Sequence, residues 1–225
     1  MKVNAVIFDM DGVIFDTERV ANLSWKMAEK EFGVTTSEEF LHSLLGINLQ
    51  DAYPFFKQYI GDVDLGLRIY EWRRKWLNEH YAKEGVPLKP GVREIFAYLK
   101  EAGIPGALAT SSTRAIVDNY FRWSQLECPF EAILTGEMLS NGKPHPEIFL
   151  KAAQALNKDI HECLVIEDSI KGMQGGIASG AMTVMVPDLV QPTAEIREKA
   201  FSIQESLLDV IVLINKLNRA EEKSG

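Results

Sequence analysis

Cysteine is scarce. Cys128 and Cys163 are the only two in 225 residues, so no disulfide framework is expected to shape the fold. Cys163, inside the apolar run "CLVIED", reads as a small buried hydrophobe. Long apolar runs are missing too. None approaches the roughly 20 residues of a membrane span. The run behind Lys2 is broken by Asp9 and Asp11, which does not suit a secretory leader. The expectation is a cytoplasmic protein without a membrane partner. Positive charge is also short: 24 Lys and Arg against 32 Asp and Glu leave a net charge of −8. That balance argues against a nucleic-acid partner and against an anionic membrane surface. Small-molecule ligands are expected instead; a monomeric state is also expected, though the charge does not speak to it.

What is present is an alternation of buried strands and amphipathic helices. Val3–Phe8, Gly106–Ala109, Cys163–Ile166 and Met182–Val186 are nearly continuous in apolar residues, as in a parallel sheet covered on both faces. Ala132–Leu134 is a further strand candidate and Ala200–Ile203 an edge candidate. Between them, Gly91–Ala102 carries Val92, Ile95, Phe96 and Leu99 on one helical face and stops at Gly103. Pro146–Leu156 opens with proline at the first helical position. The pattern predicts an α/β fold with a doubly wound, Rossmann-like parallel sheet.

Residues 17–85 break the alternation. Val20, Leu23, Met27 and Phe32 form one helical stripe, and Leu65, Ile69, Trp72, Trp76 and Tyr81 form a second. Shorter helices are expected at Phe40–Leu45 and around Phe55–Ile60. The segment reads as an all-helical domain inserted after the first strand, ending in the Gly/Pro cluster "KEGVPLKPG". The α/β core is then 1–16 plus 86–225.

Chemistry gathers at the strand ends, where open α/β sheets collect their ligands. The first strand ends in Asp9 and Asp11, two residues apart and so able to face one site from an extended chain. A lone Asp-x-Asp serves equally well as a loop cap. "ALATSS" ends in Thr110, Ser111 and Ser112 ahead of a helix, a natural phosphate cradle. "NGKPHPEIF" places Lys143 before another helix, and "LVIEDS" ends in Glu167 and Asp168. Carboxylates from two strands make a hard oxygen site suited to Mg²⁺, which keeps waters and binds a substrate phosphate. Lys143 and the hydroxyls offset phosphoryl charge, leaving one acid to attack phosphorus and another to carry a proton. "KGMQGGIASGA" lacks the G-x-G-x-x-G spacing and reads as close helix–sheet packing.

The four segments "DMDGVIFDTE", "ALATSS", "GKPHPEIF" and "VIEDSIKGMQGGIASGA", in this order, resemble the motifs of the haloacid dehalogenase superfamily. The similarity is to its α-helical-cap branch of β-phosphoglucomutase-like phosphatases. The resemblance implies a cap domain that selects the substrate, Asp9 as nucleophile and Asp11 as proton carrier. It implies Mg²⁺ bound by Asp9, the Asp11 carbonyl, Asp168 and Glu167. Thr110, Ser111 and Lys143 would bind the transferring phosphoryl group. Asp11 favours phosphoryl transfer over dehalogenation, which has no leaving alkoxide to protonate. A phosphonatase would need a cap lysine, and nothing specific assigns Lys26 or Lys30 to that part.

The expected activity is a phosphatase acting on a small phosphorylated metabolite. A sugar-phosphate mutase and a non-catalytic binder of phosphorylated ligands stay open as alternatives. Ala21 stands where mutases carry a cap histidine, and Leu49 where they carry an arginine. In the cap loop, Gly46 and Asn48 read as substrate contacts or, alternatively, as a helix stop and the next helix cap.

Overall fold

The computed structural model describes residues 2–44 and 49–222. They fall into two compact units, Met1–Asp16 with Pro87–Gly225, and Thr17–Val86. In the first unit, β1 (Ala5–Phe8), β2 (Gly106–Ala109), β3 (Ala132–Leu134), β4 (Cys163–Glu167), β5 (Met182–Met185) and β6 (Ser202–Ile203) form one parallel sheet. Its order is β3-β2-β1-β4-β5-β6. The chain runs outward from β1 to β3, then crosses back to β4 on the other side of β1. Strand order therefore reverses between β1 and β4, where such sheets open a crevice at their carboxyl ends.

The helices are α1 (Thr17–Phe32), α2 (Glu38–Ser43), α3 (Leu49–Phe55) and α4 (Val63–Glu84) in the second unit. The first unit carries α5 (Val92–Ala102), α6 (Arg114–Trp123), α7 (Glu147–Ala155), α8 (Ile170–Ser179), α9 (Ala194–Lys199) and α10 (Leu207–Glu222). Side chains alternate across each strand, so the two sheet faces recruit different partners. Ala5 and Ile7 join Ala107, Ala109, Cys163 and Val165 in one apolar cluster with Ile148, Phe149 and Ala152 of α7. Phe8 points the other way, edge-on to Phe96 of α5 at 5.8 Å. The four buried residues that α5 contributes, Val92, Ile95, Phe96 and Leu99, are each worth about 2 kcal/mol as buried apolar side chains. The edge strand is shorter than the sequence pattern suggests, Ser202–Ile203 rather than Ala200–Ile203. Among the described residues no helix is long and apolar enough to cross a membrane.

The helical unit departs from its apolar stripe. On α1 the buried residues are Thr17, Ser24, Trp25 and Ala28, whereas Leu23 is exposed. The cause is Arg73, a buried residue of α4. Its guanidinium lies 3.7 Å over the Trp25 ring, and donates to Ser24 Oγ at 2.9 Å and to the Ala21 carbonyl at 3.1 Å. A charged residue thus takes the position that periodicity reserves for an apolar one, and it turns α1 toward its partners. Burial pushes the Arg73 guanidinium down to about 9. Gly66 lets α4 approach the π-helical segment Phe56–Ile60, since a Cβ there would lie 2.6 Å from the Cβ of Phe56.

The return into the first unit is pinned from two sides. Asp16 N–H donates to the Pro87 carbonyl and Lys89 N–H to that of Ile14, both at 2.9 Å. Lys89 Nζ meets Asp188 Oδ1 at 2.7 Å, with the aspartate side chain only 1% exposed. Removing one member of a buried pair strands the other. Lys89→Met is expected to lower unfolding free energy by about 3 kcal/mol, read from the urea midpoint.

Candidate active site

The two acidic strand ends meet because β1 and β4 are neighbours in register, with Phe8 opposite Ile166. Asp9 follows directly, its N–H donating to the Ile166 carbonyl at 3.0 Å. Glu167 is the last residue of β4 and Asp168 the next. One carboxylate oxygen from each of Asp9, Glu167 and Asp168 lies within 4.8 Å of the others. Gly12, with φ of 79°, turns the chain here, and a Cβ at this position would overlap the Asp168 carboxylate.

Lys143 reaches into this group. Its Nζ lies 2.5 Å from both Asp9 Oδ1 and Glu167 Oε1, and donates to the Ala109 carbonyl at 3.0 Å. The side chain is 7% exposed. Three acceptors around one ammonium satisfy all its donors. Glu167 spends its other oxygen on the helix that follows: Oε2 accepts from Asp168 N–H at 3.2 Å, Ser169 N–H at 3.3 Å and Ser169 Oγ at 3.0 Å. Gly172, one turn into α8, leaves room for that carboxylate, which a Cβ there would overlap. Gly176 lies close to Thr183 and Val165, where a Cβ would sit 2.7 Å from Thr183 Cγ2, so part of the small-residue run serves helix–sheet packing and part accommodates Glu167.

The loop that delivers Lys143 is organised by Glu147, the first residue of α7. Its carboxylate accepts from Ser140 N–H at 3.0 Å and Asn141 N–H at 2.9 Å, and pairs with Lys151 at 2.6 Å. The lysine and these amides hold the Glu147 carboxyl down at about 2. In sequence Glu147 looks like an ordinary first-turn acid on a helix. Its loop contacts depend on where the preceding residues fold back. Glu147→Gln keeps one acceptor oxygen where two now serve the separate amides, and it loses the charge that pairs with Lys151. A fall of about tenfold in turnover is expected, measurable in initial rates once a substrate is in hand. His145 is exposed, with Nδ1 accepting from Glu147 N–H at 3.3 Å.

The hydroxyl run sits beside β1 because β2 is its other neighbour. Thr110 is buried, and its Oγ1 accepts from Ser112 N–H at 3.0 Å. Ser111 is exposed. Asp11 is half-buried and its Oδ2 accepts from Ser112 Oγ at 3.1 Å, so its carboxylate faces the hydroxyl loop. Gly46 and Asn48, the cap-loop candidates, lie outside the described residues. Sequence reasoning named Ser112 only as one of three hydroxyls and gave it no partner. It missed Arg73 and the clamp made by Glu147.

Electrostatically the centre is crowded with acids. Burial pushes the Asp9 carboxyl up to about 8; Lys143 opposes this, and Glu167 and Asp11 reinforce it. Burial disfavours the Lys143 ammonium, but Asp9 and Glu167 outweigh it and hold the group above the usual lysine range. Lys143 therefore stays charged. Asp9 and Glu167 share the Lys143 ammonium with Asp168 close by, and an all-oxygen donor set of this kind fits a hard divalent cation such as Mg²⁺. Asp9, Glu167 and Asp168 could together hold such an ion, and Lys143 Nζ bonds one oxygen of Asp9 and one of Glu167.

Residues 6–186 match the model of haloacid dehalogenase-like hydrolases. A phosphorylated carbohydrates phosphatase of Thermotoga maritima is 30% identical over 182 residues, covering 79% of this chain and 82% of that protein. The bifunctional riboflavin kinase/FMN phosphatase of Arabidopsis thaliana is 30% identical over 210 residues; the match spans 92% of this chain but only 54% of that protein. A haloacid dehalogenase family hydrolase of Deinococcus radiodurans, solved with bound phosphate and sodium, superposes with a TM-score of 0.76. It is 27% identical, over 92% of this chain and 93% of that one. By the family match, the sheet order and the residues at its strand ends, this chain belongs to the haloacid dehalogenase-like hydrolases.

Proposed function

We propose that the protein is a Mg²⁺-dependent phosphatase that hydrolyses a small, sugar-phosphate-like metabolite through an aspartyl-phosphate. The observation that carries this reading is the buried Lys143 bonded at once to Asp9 and Glu167 at the switch point of the sheet. An ion pair built this deep serves poorly as a stabilising device. It serves well as the fixed positive charge of a phosphoryl site.

In the first step a carboxylate oxygen of Asp9 attacks phosphorus, and the bond from phosphorus to the ester oxygen breaks. Asp11 gives the departing oxygen its proton. In the second step water attacks the phosphorus of the aspartyl-phosphate while Asp11 takes a proton from it. The Asp9–phosphorus bond breaks and phosphate leaves. Thr110, the Ser111 amide and Lys143 bind the phosphoryl oxygens in both steps. Asp9, the Asp11 carbonyl and Asp168, with Glu167 beside them, would hold Mg²⁺, which would supply further positive charge against those oxygens. The helical unit Thr17–Val86 acts as the cap that selects the substrate, with Gly46 and Asn48 as its contacts. A phosphatase is preferred to a mutase because Ala21 and Leu49 replace the histidine and arginine that a mutase uses.

The test is phosphate release from a panel of phosphorylated metabolites, with Mg²⁺ and with EDTA. Turnover of sugar phosphates that EDTA stops is the expected result. No release from any compound would overturn the phosphatase reading, and a bisphosphate-primed isomerisation would then favour the mutase.

A further inference from the structure

Ser112 is held by more bonds than a loop serine needs. Its N–H donates to Thr110 Oγ1 at 3.0 Å, and its carbonyl accepts from Gly136 N–H at 3.3 Å. Its hydroxyl donates to Asp11 Oδ2 at 3.1 Å, a contact between residues 101 apart in sequence. The end of β3 presses on this turn from behind, since a Cβ on Gly136 would lie 2.5 Å from the Ser111 carbonyl oxygen. Capping does not explain the hydroxyl, because Thr113 caps α6 by accepting from Ile116 N–H. From the other side, a backbone bridge to Phe15 fixes the Asp11 main chain. Both ends of the Ser112–Asp11 bond are thus anchored independently of it.

Resting on the phosphatase reading, we infer that Ser112 is a positioning residue for the proton transfer by Asp11: its hydroxyl takes Oδ2 and orients the carboxyl group toward the leaving oxygen. The effect is specific to the step that needs a proton. An aliphatic alkoxide leaves only when protonated, whereas p-nitrophenolate leaves without help, so the two esters report different demands on Asp11.

The experiment measures kcat/KM of wild type, Ser112→Ala and Ser112→Thr for the best sugar phosphate of the panel and for p-nitrophenyl phosphate. Because kcat/KM covers only steps through departure of the leaving group, hydrolysis of the aspartyl-phosphate does not enter. Ser112→Ala is expected to lose about tenfold on the sugar phosphate and less than about twofold on the aryl ester. Ser112→Thr, which keeps the hydroxyl, is expected to restore most of the loss. The ratio of the two substrates is internal to each preparation, so partial unfolding does not move it. Equal losses on both esters, or no loss on the sugar phosphate, would overturn the inference while leaving the phosphatase reading intact. A wild-type protein inert towards every ester would overturn that reading first.

Discussion

Asp9→Asn is expected to remove turnover by about 10⁴-fold or more, since an amide neither attacks phosphorus nor forms the covalent intermediate. The same change is expected to leave the fold intact and to stabilise the metal-free protein slightly. Asparagine keeps the shape of the side chain but removes one of three crowded carboxyl groups, the one that burial already pushes up to about 8. Activity and stability should therefore move in opposite directions, the pattern of a site strained for function. Phosphate release and a urea midpoint on one preparation measure both. A variant that turned over at a tenth of the wild-type rate would remove Asp9 from the chemistry.

Lys143→Met is expected to have the largest effect on stability. It takes the ammonium from between Asp9 and Glu167, whose side chains are 11% and 0% exposed. Loss of one member of a buried ion pair costs about 3–5 kcal/mol when the other stays charged. Here two carboxylates are left, so they are driven to protonate instead. The sign of the pH dependence follows. A carboxyl whose folded pKa lies above its unfolded value binds more protons when folded, so stability falls as pH rises across that interval. In the metal-free wild type, Asp9 already acts this way between the ordinary carboxylate range and about 8. In Lys143→Met the fall should be steeper, with stability partly recovered at pH 5. Denaturation curves at pH 5 and pH 8 without added metal give the comparison. A variant as stable as wild type at both would mean that the lysine carries no charge balance there.

Much of this was legible because strand ends are punctuated in the sequence. "VIFDMD" and "LVIED" are apolar runs stopped by acids, and a parallel sheet places such stops along one edge. Lys143 stands out for the prolines around it. What was not legible depends on long-range contact. Ser112 meets Asp11 only because β1 and β2 are neighbours, and no local pattern states that. Glu147 clamps its loop through backbone amides, which every residue type shares. On α1, periodicity selected Leu23 and passed over Ser24, because an apolar scale does not foresee a buried arginine with a hydroxyl, a carbonyl and an indole around it.

The most direct test of the central claim is a rapid-quench experiment with a substrate radiolabelled in its phosphoryl group, followed by acid digestion and peptide mapping. The label is expected on the peptide that contains Asp9 at early times, passing to free phosphate as turnover proceeds. Label on any other residue, or release of phosphate at the same rate from Asp9→Asn, would contradict the account.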